Sequence, residues 1–575
     1  MRYPARRFLF LAFFALYSFT CAAQFYVAPD GNDTDDGSEL RPFSTLMRAQ
    51  SAASTGDTVL IRGGTYALTN LHITTDDGLY VYVNDFTKPG VAYLAYEGET
   101  PVFDFSQVRP SARRITAFYI RTNDLVFRGF QVAGVQVVIR SGEATNTQSE
   151  NFRLRNGSRN RLERLVLRDG MGIGVYITYA SAANLVLNCD AYNNAGLDSL
   201  SMGNVDGFGC HTTAAGTGNV FRGCRAWLNS DDGFDLINCA APVLIENCWA
   251  AFSGYRNASL QTGGDGNGFK AGGYGRNGSA LPVVIPRHVV RSSLAIQNRA
   301  SGFYANHHPG GLDFLQNTAY RNATNFNFLN VLADNLTDVP GYGHTIKNNL
   351  SHAPRSSAVT QLDATACAIA ANTFSIPLTV TDADFRFTTT DTAALIAAFS
   401  APRSVDGFLP QLRLLRLRAG SQLLDRGVDL SAPFYGAAPD LGCFELTPFE
   451  AWIGSRQPGV VDPNRLDEAA DPDADGVANL LEYFAGSDPL VPDAPAPITL
   501  KVSEVGGIHL NARRQKLASG IAHRVEHSSN LATWSVSAVE LSEEQDLVSH
   551  VLLGAEIPLP SAAGFWRLSV SRLTP

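Results

Sequence analysis

Three short stretches, Cys189-Asp190-Ala191 with Asn194, Cys224-Arg225-Ala226 with Asn229, and Cys248-Trp249-Ala250 with Ser253, decide the fold, because they are one motif written three times. Ser293-Leu294-Ala295 with Asn298 and Asn317-Thr318-Ala319 with Asn322 continue it, at intervals of 35, 24, 45 and 24 residues. A second motif interleaves with the first: Gly207-Phe208, Gly233-Phe234, Gly268-Phe269 and Gly302-Phe303. Apolar stretches this short, bounded by Gly and Asn and without a helical stripe, read as strands. A constant core motif with variable spacers means one coil per repeat and loops of unequal length, a parallel β-solenoid. Equivalent residues then stand one strand spacing apart, about 4.8 Å. Like side chains form columns: Asn bonded amide to amide, and Cys189, Cys224 and Cys248 filling a narrow turn as packing.

Outward from this core, Phe25–Gly31 and Thr58–Tyr66 read as opening coils, and residues 43–54 suit a short capping helix. Asp440-Leu441-Gly442-Cys443-Phe444-Glu445 reads as the last strand, so the solenoid is expected over residues 24–449. Residues 1–23, with Arg2, Arg6 and Arg7 before the apolar run Phe8–Leu16 and small residues at Cys21-Ala22-Ala23, read as a secretory signal peptide. A secreted protein, extracellular or periplasmic, is expected, with no transmembrane span and as a monomer.

The composition agrees. A chain of 575 residues with 45% hydrophobic and 17% charged side chains is too apolar for disorder and too long for one compact core. Net charge is −9 without a long Lys/Arg run, which argues against nucleic acid as the main partner. The seven cysteines after residue 21 are odd in number, irregularly spaced and free of CxxC pairs, so neither a disulfide scaffold nor a zinc site is expected.

Aligning the four Gly-Phe coils places chemistry side by side. One residue past each Phe stand Gly209, Asp235, Lys270 and Tyr304, pointing outward if the Phe points in. Two before each Phe stand Asp206, Asp232, Asn267 and Ser301, and Asp231 precedes Asp232. Four carboxylates packed within a few ångströms raise one another's pKa unless a cation offsets them, and clustered oxygens suit Ca²⁺. Lys270, one coil from Asp235, is a salt-bridge partner or a base.

The Phe25–Gly31 segment, Asn204-Val205-Asp206-Gly207-Phe208, Asp231-Asp232-Gly233-Phe234-Asp235 and Gly268-Phe269-Lys270 together resemble the family nine polysaccharide lyases. That resemblance implies a right-handed parallel β-helix and a calcium-dependent pectate lyase acting on polygalacturonate or a related uronate polysaccharide. It implies a catalytic Ca²⁺ held by Asp206, Asp231, Asp232 and Asp235, with Lys270 as base, β-elimination and an alkaline optimum. Arg256, Arg276, Arg299, His307 and His308 lie near Lys270 in sequence and are candidates to meet uronate carboxylates, and Tyr304 to pack on a sugar ring. Two alternatives share the fold. One is a polygalacturonase-like glycoside hydrolase using Asp231 and Asp232, although its Gly-His-Gly motif is absent. The other is a calcium-stabilised solenoid that binds without catalysis.

A second acidic motif lies beyond the solenoid, in a linker spanning residues 450–497. Residues 471–482 fit an EF-hand loop, with Asp471, Asp473, Asp475, Asn479 and Glu482 as side-chain ligands, Val477 giving its carbonyl and Gly476 the turn. No partner hand accompanies it, so it is expected to be a dockerin-type half-hand that orders the linker. Residues 498–575 read as a small β-module of open role.

Overall fold

A computed structural model describes residues 22–139, 148–457, 463–492, 498–502, 508–529, 533–557 and 565–573. The expected signal peptide, up to residue 21, lies outside these. Three long sheets of twelve, ten and eleven strands run side by side, and the coils feed them in turn with parallel pairing, except at the edge strand Thr75–Asp76, which pairs antiparallel with Tyr80–Phe86. The predicted columns are the pairing register. Ala191, Ala226, Ala250, Ala295 and Ala319 are successive partners. So are Phe208, Phe234, Phe269, Phe303 and Phe326, all fully buried. Their rings stack at centroid distances of 5.1, 4.9, 4.8 and 5.0 Å.

The two motifs are halves of one contact. A Cβ on Gly207 would lie 2.6 Å from the Ala226 methyl and 2.7 Å from the Gly233 carbonyl oxygen, so the coil closes only without a side chain there. The polar column is satisfied internally. Asn194 donates to Asn229 (3.1 Å), the amide of Ser253 to Asn298 Oδ1 (3.0 Å) and Asn298 to Asn322 (2.8 Å), while in the column that continues Cys248 and Ser293, Asn317 donates to Asn349 (3.0 Å). Cys189, Cys224 and Cys248 are unbridged, as packing requires.

Among the described residues, five α-helices accompany the coils: α1 (Leu46–Ala52), α2 (Ser199–Met202), α3 (Thr392–Phe399), α4 (Pro448–Arg456) and α5 (Asn479–Ala485). Helix α1 is capped by the Thr45 side chain and turns Leu46 and Ala49 into the core of the opening coils.

The expected last strand at Asp440–Glu445 is not a strand. The coils end at Ala368–Ala370, and the chain then runs back over the outer face of the ten-stranded sheet. There Phe399 lies 6.2 Å from Trp227 and 5.5 Å from Trp249, and Arg403 reaches Asp190. Residues 440–445 are held by isolated contacts instead of a ladder: the Gly442 amide to the Asn348 carbonyl (2.8 Å) and the Cys443 amide to Thr318 Oγ1 (2.9 Å). Trp227, Trp249 and Tyr320 stand on the outward face, so the uncovered solenoid would expose a large apolar patch.

After α4 come the acidic loop, α5 and two small antiparallel sheets. One orders Ile498–Val502, Ile508–Gln515, His550–Ile557 and Ser542–Asp546; the other orders Ser535–Val536, Ile521–Ser528 and Phe565–Arg572.

Candidate active site

The eleven-stranded sheet builds the site. Because the Phe column points inward, strand alternation turns the following residue out, and Gly209, Asp235, Lys270 and Tyr304 form one row in register. Two positions before each Phe, each side chain receives the amide of the next coil. The Asp232 amide donates to Asp206 (3.1 Å), the Asn267 amide to Asp232 (2.6 Å) and the Ser301 amide to Asn267 (3.1 Å). The fold itself therefore fixes these carboxylates.

Carboxylate oxygens of Asp206, Asp232 and Asp235 lie within 4.8 Å of one another, and all three residues are buried. Asp231 belongs to an adjoining group of the same span with Asp232 and Asp265, and its Oδ1 accepts from the Asp265 amide (2.7 Å). The four predicted ligands thus stand in two groups that share Asp232. Lys270 Nζ lies 3.1 Å from Asp232, 3.4 Å from Asp235 and 3.9 Å from Asp265.

Burial, reinforced by Asp231, Asp235 and Asp232 for the first and by Asp232 and Asp265 for the second, pushes the carboxyls of Asp206 and Asp231 well above the usual range. Burial likewise raises Asp232, to about 6, although Lys270 pulls it down. For Lys270 burial favours the neutral amine, but Asp235, Asp232, Asp231 and Asp206 outweigh it and hold the ammonium well above an ordinary lysine. One buried ammonium faces four aspartates, a deficit of positive charge. With oxygen donors alone and no His or Cys among them, the set fits a hard divalent cation such as Ca²⁺.

Two groups at the site were not singled out from sequence. Asp265 stands just before the Gly266-Asn267 pair, where the column alignment stopped one residue short. His211 lies two past Gly209, on the same outward face; its Nδ1 is 3.2 Å from the Tyr176 hydroxyl and its Nε2 3.9 Å from Asp235. Gly209 leaves a notch there, since a Cβ would stand 3.2 Å from the Tyr176 ring.

The other expected contacts divide. Tyr304 sits beside Lys270, half-buried. Arg276 and His307 are both committed to Asp338, at 3.0 and 2.6 Å. Arg299 is exposed and donates to the carbonyls of Gly264 and Asp265, while Arg256 donates to Gln261. His308 is fully buried, bonded to the Pro286 carbonyl, and cannot meet a polymer.

The second acidic motif also gathers. Asp471, Asp473 and Asp475 offer oxygens within 4.8 Å of one another, and Gly476 makes the turn at φ 91°. Glu482 is fully buried and neither of its carboxylate oxygens makes a hydrogen bond. Burial, then Asp473 and Asp475, push it up to about 7. Asn479 spends its amide nitrogen on the carbonyls of Arg465 and Asp467.

Comparison with known proteins identifies the framework. Residues 25–349 match the model described as the Pel9A-like, right-handed β-helix region. Pectate lyase L of Dickeya dadantii (strain 3937) is 34% identical over 427 residues, 73% of this chain and 90% of that one. The solved structure of pectate lyase Pel9A superposes with a TM-score of 0.58 at 29% identity, covering 74% of this chain and 97% of its own. A solved rhamnogalacturonan lyase gives 0.65 at 40% identity, covering 70% and 98%. With the family model spanning more than half of the chain and a relative matched over nine-tenths of its length, this protein belongs to the Pel9A-like right-handed β-helix family, the family nine pectate lyases, and is a polysaccharide lyase.

Proposed function

We propose that the chain is an exported enzyme that cleaves a galacturonate-containing backbone by β-elimination, with Ca²⁺ held by Asp206, Asp231, Asp232 and Asp235 and with Lys270 as base. The observation that carries this reading is Lys270 Nζ standing 3.1 and 3.4 Å from two members of a buried carboxylate cluster on the outer face of the helix. Export rests on the basic and apolar pattern of residues 1–23.

The proton at C5 of a uronate is α to the C6 carboxylate and only weakly acidic. Calcium held by the four aspartates would supply a Lewis acid for that carboxylate and would offset their charge, so that Lys270 would no longer be needed as their counter-ion. Lys270 Nζ, neutral, takes the C5 proton. The C4–O bond breaks with its electron pair leaving on oxygen, and the C4–C5 double bond forms. Asp232 and Asp206 keep their positions throughout, since each accepts a backbone amide of the next coil. Tyr304, one coil beyond Lys270, offers a ring face to a neighbouring sugar.

Polygalacturonate and the rhamnogalacturonan backbone both present such a uronate, and the relatives are named for one or the other. The test is to follow near-ultraviolet absorbance of the unsaturated product on each polymer, with calcium and with chelator. Calcium-dependent absorbance on either supports the reading. Reducing ends without absorbance support a hydrolase, and binding without either product a non-catalytic solenoid.

A further inference from the structure

The acidic loop leads into α5, which packs into two hydrophobic clusters that share Ile521 and Val570 of the C-terminal sheets, and the loop's last acidic residue lies on α5. Leu480 and Tyr483 of α5 pack with Phe449 and Ile453 of α4 and with Leu466. Phe484, the next residue of the same helix, packs with Leu510, Ala512, Val551, Leu553 and Ile557 of the C-terminal sheets. The Tyr483 hydroxyl reaches the carbonyls of Leu517 and Ser519, and Gln515 donates to the Tyr483 carbonyl. Glu482 stands in the middle of these contacts, fully buried.

An acidic cluster alone indicates nothing. Here a second observation points to a ligand: both oxygens of the fully buried Glu482 are without a hydrogen bond, as is the buried Oδ2 of Asp473. Leaving buried carboxylate oxygens unsatisfied costs more than a fold tolerates without compensation. No Lys or Arg among the described residues is ion-paired with Asp471, Asp473, Asp475 or Glu482. The turn is already set, since Gly476 donates its amide to Asp471 (2.9 Å) and Val477 to Asp475 (2.8 Å).

We propose that a calcium-type divalent cation bound by Asp471, Asp473, Asp475 and Glu482 is a clasp that fastens the C-terminal β-module to α4 through α5. With the cation bound, Glu482 is compensated and α5 can bury Leu480 and Tyr483 on one side and Phe484 on the other. Without it, like charges in the loop oppose the same placement, and the module is held by Ala518, Ile521 and Val570 packing against the Phe449 and Ile453 cluster and by Arg572, which meets Glu450 and Glu468. The clasp is independent of the lyase reaction.

Hydrogen exchange on the full chain, followed by peptide mass spectrometry with calcium and with chelator, tests it. At free calcium about a hundredfold above its Kd, amides of Asn479–Ala485 and of Ile508–Gln515 should exchange about a hundredfold more slowly than in chelator. Asp473→Asn and Glu482→Gln should abolish that slowing. Slowing around Asp206–Lys270 is an internal reference whose presence or absence bears on the lyase reading alone. Equal exchange of α5 with and without calcium in the wild type, or slowing that persists in Asp473→Asn, overturns the clasp. Should Glu482→Gln fail to fold, the partly exposed Asp473→Asn decides.

Discussion

The two acidic clusters differ in what balances them. The cluster on the β-helix carries its own counter-ion, Lys270, within 3.1 Å of Asp232, and a backbone amide holds each of its four aspartates. The cluster at residues 471–482 has no cationic side chain paired with it among the described residues, and a buried glutamate without hydrogen bonds. The first therefore has a partial internal counter-charge, and the second has only the hydrogen bonds of its own turn. A carboxylate cluster reads as catalytic when a titratable side chain is trapped against it, and as architectural when only apolar packing surrounds it.

Removing one charge from each cluster should separate them sharply. Asp232→Asn keeps the bond from the Asn267 amide but loses a carboxylate, so turnover should fall by about 10²–10³, in line with the several kcal/mol a bound metal supplies; product absorbance across a calcium titration measures it. Equal activity in Asp232→Asn would remove Asp232 from the site.

Acid should strain the β-helix. His308 and His344 are fully buried and burial holds both at about 4. Each accepts a backbone amide at Nδ1, from Gly273 and Leu312, which requires the neutral ring. The unfolded chain, with its imidazoles near 6.5, protonates first as pH falls. Their contribution is therefore complete above about 6.5 and drains away towards 4, by roughly 3 kcal/mol for each ring. Denaturant midpoints between pH 7 and 4 should fall, and a flat profile contradicts the assignment.

A smaller effect tests the frame under the catalytic row. Gly207→Ala forces a methyl into the Ala226 contact and should cost about 1–3 kcal/mol, visible as a lowered thermal midpoint. The smallest effect is expected at the distant cluster: Asp473→Asn should lower the calcium stoichiometry by one while leaving turnover within about twofold, as independent sites do. A large loss of turnover there would mean that the clusters are coupled.

Much of this was legible in the sequence because a solenoid turns spacing into proximity. The Gly-Phe and Ala columns fix register, and register alone put Asp235 beside Lys270 and Asp206 beside Asp232. What the columns do not encode stayed hidden. The strap over Trp227 and Trp249 has no repeat of its own, so its end at Asp440–Glu445 looked like one more strand. Asp265 lies in a variable loop, and the commitment of Arg276 and His307 to Asp338 depends on a residue far along the chain. His308 follows His307 directly, yet a turn with positive φ at Asn306 and His307 sends it into the core.

The most direct measurement of the central claim is the rate of unsaturated-uronide formation by Lys270→Ala at saturating calcium, with metal binding confirmed by calorimetry. If Lys270 is the base, calcium still binds, the fold is retained and the rate falls by about 10²–10⁴. A variant that binds calcium and still turns over within tenfold of the wild type would show that another group takes the proton.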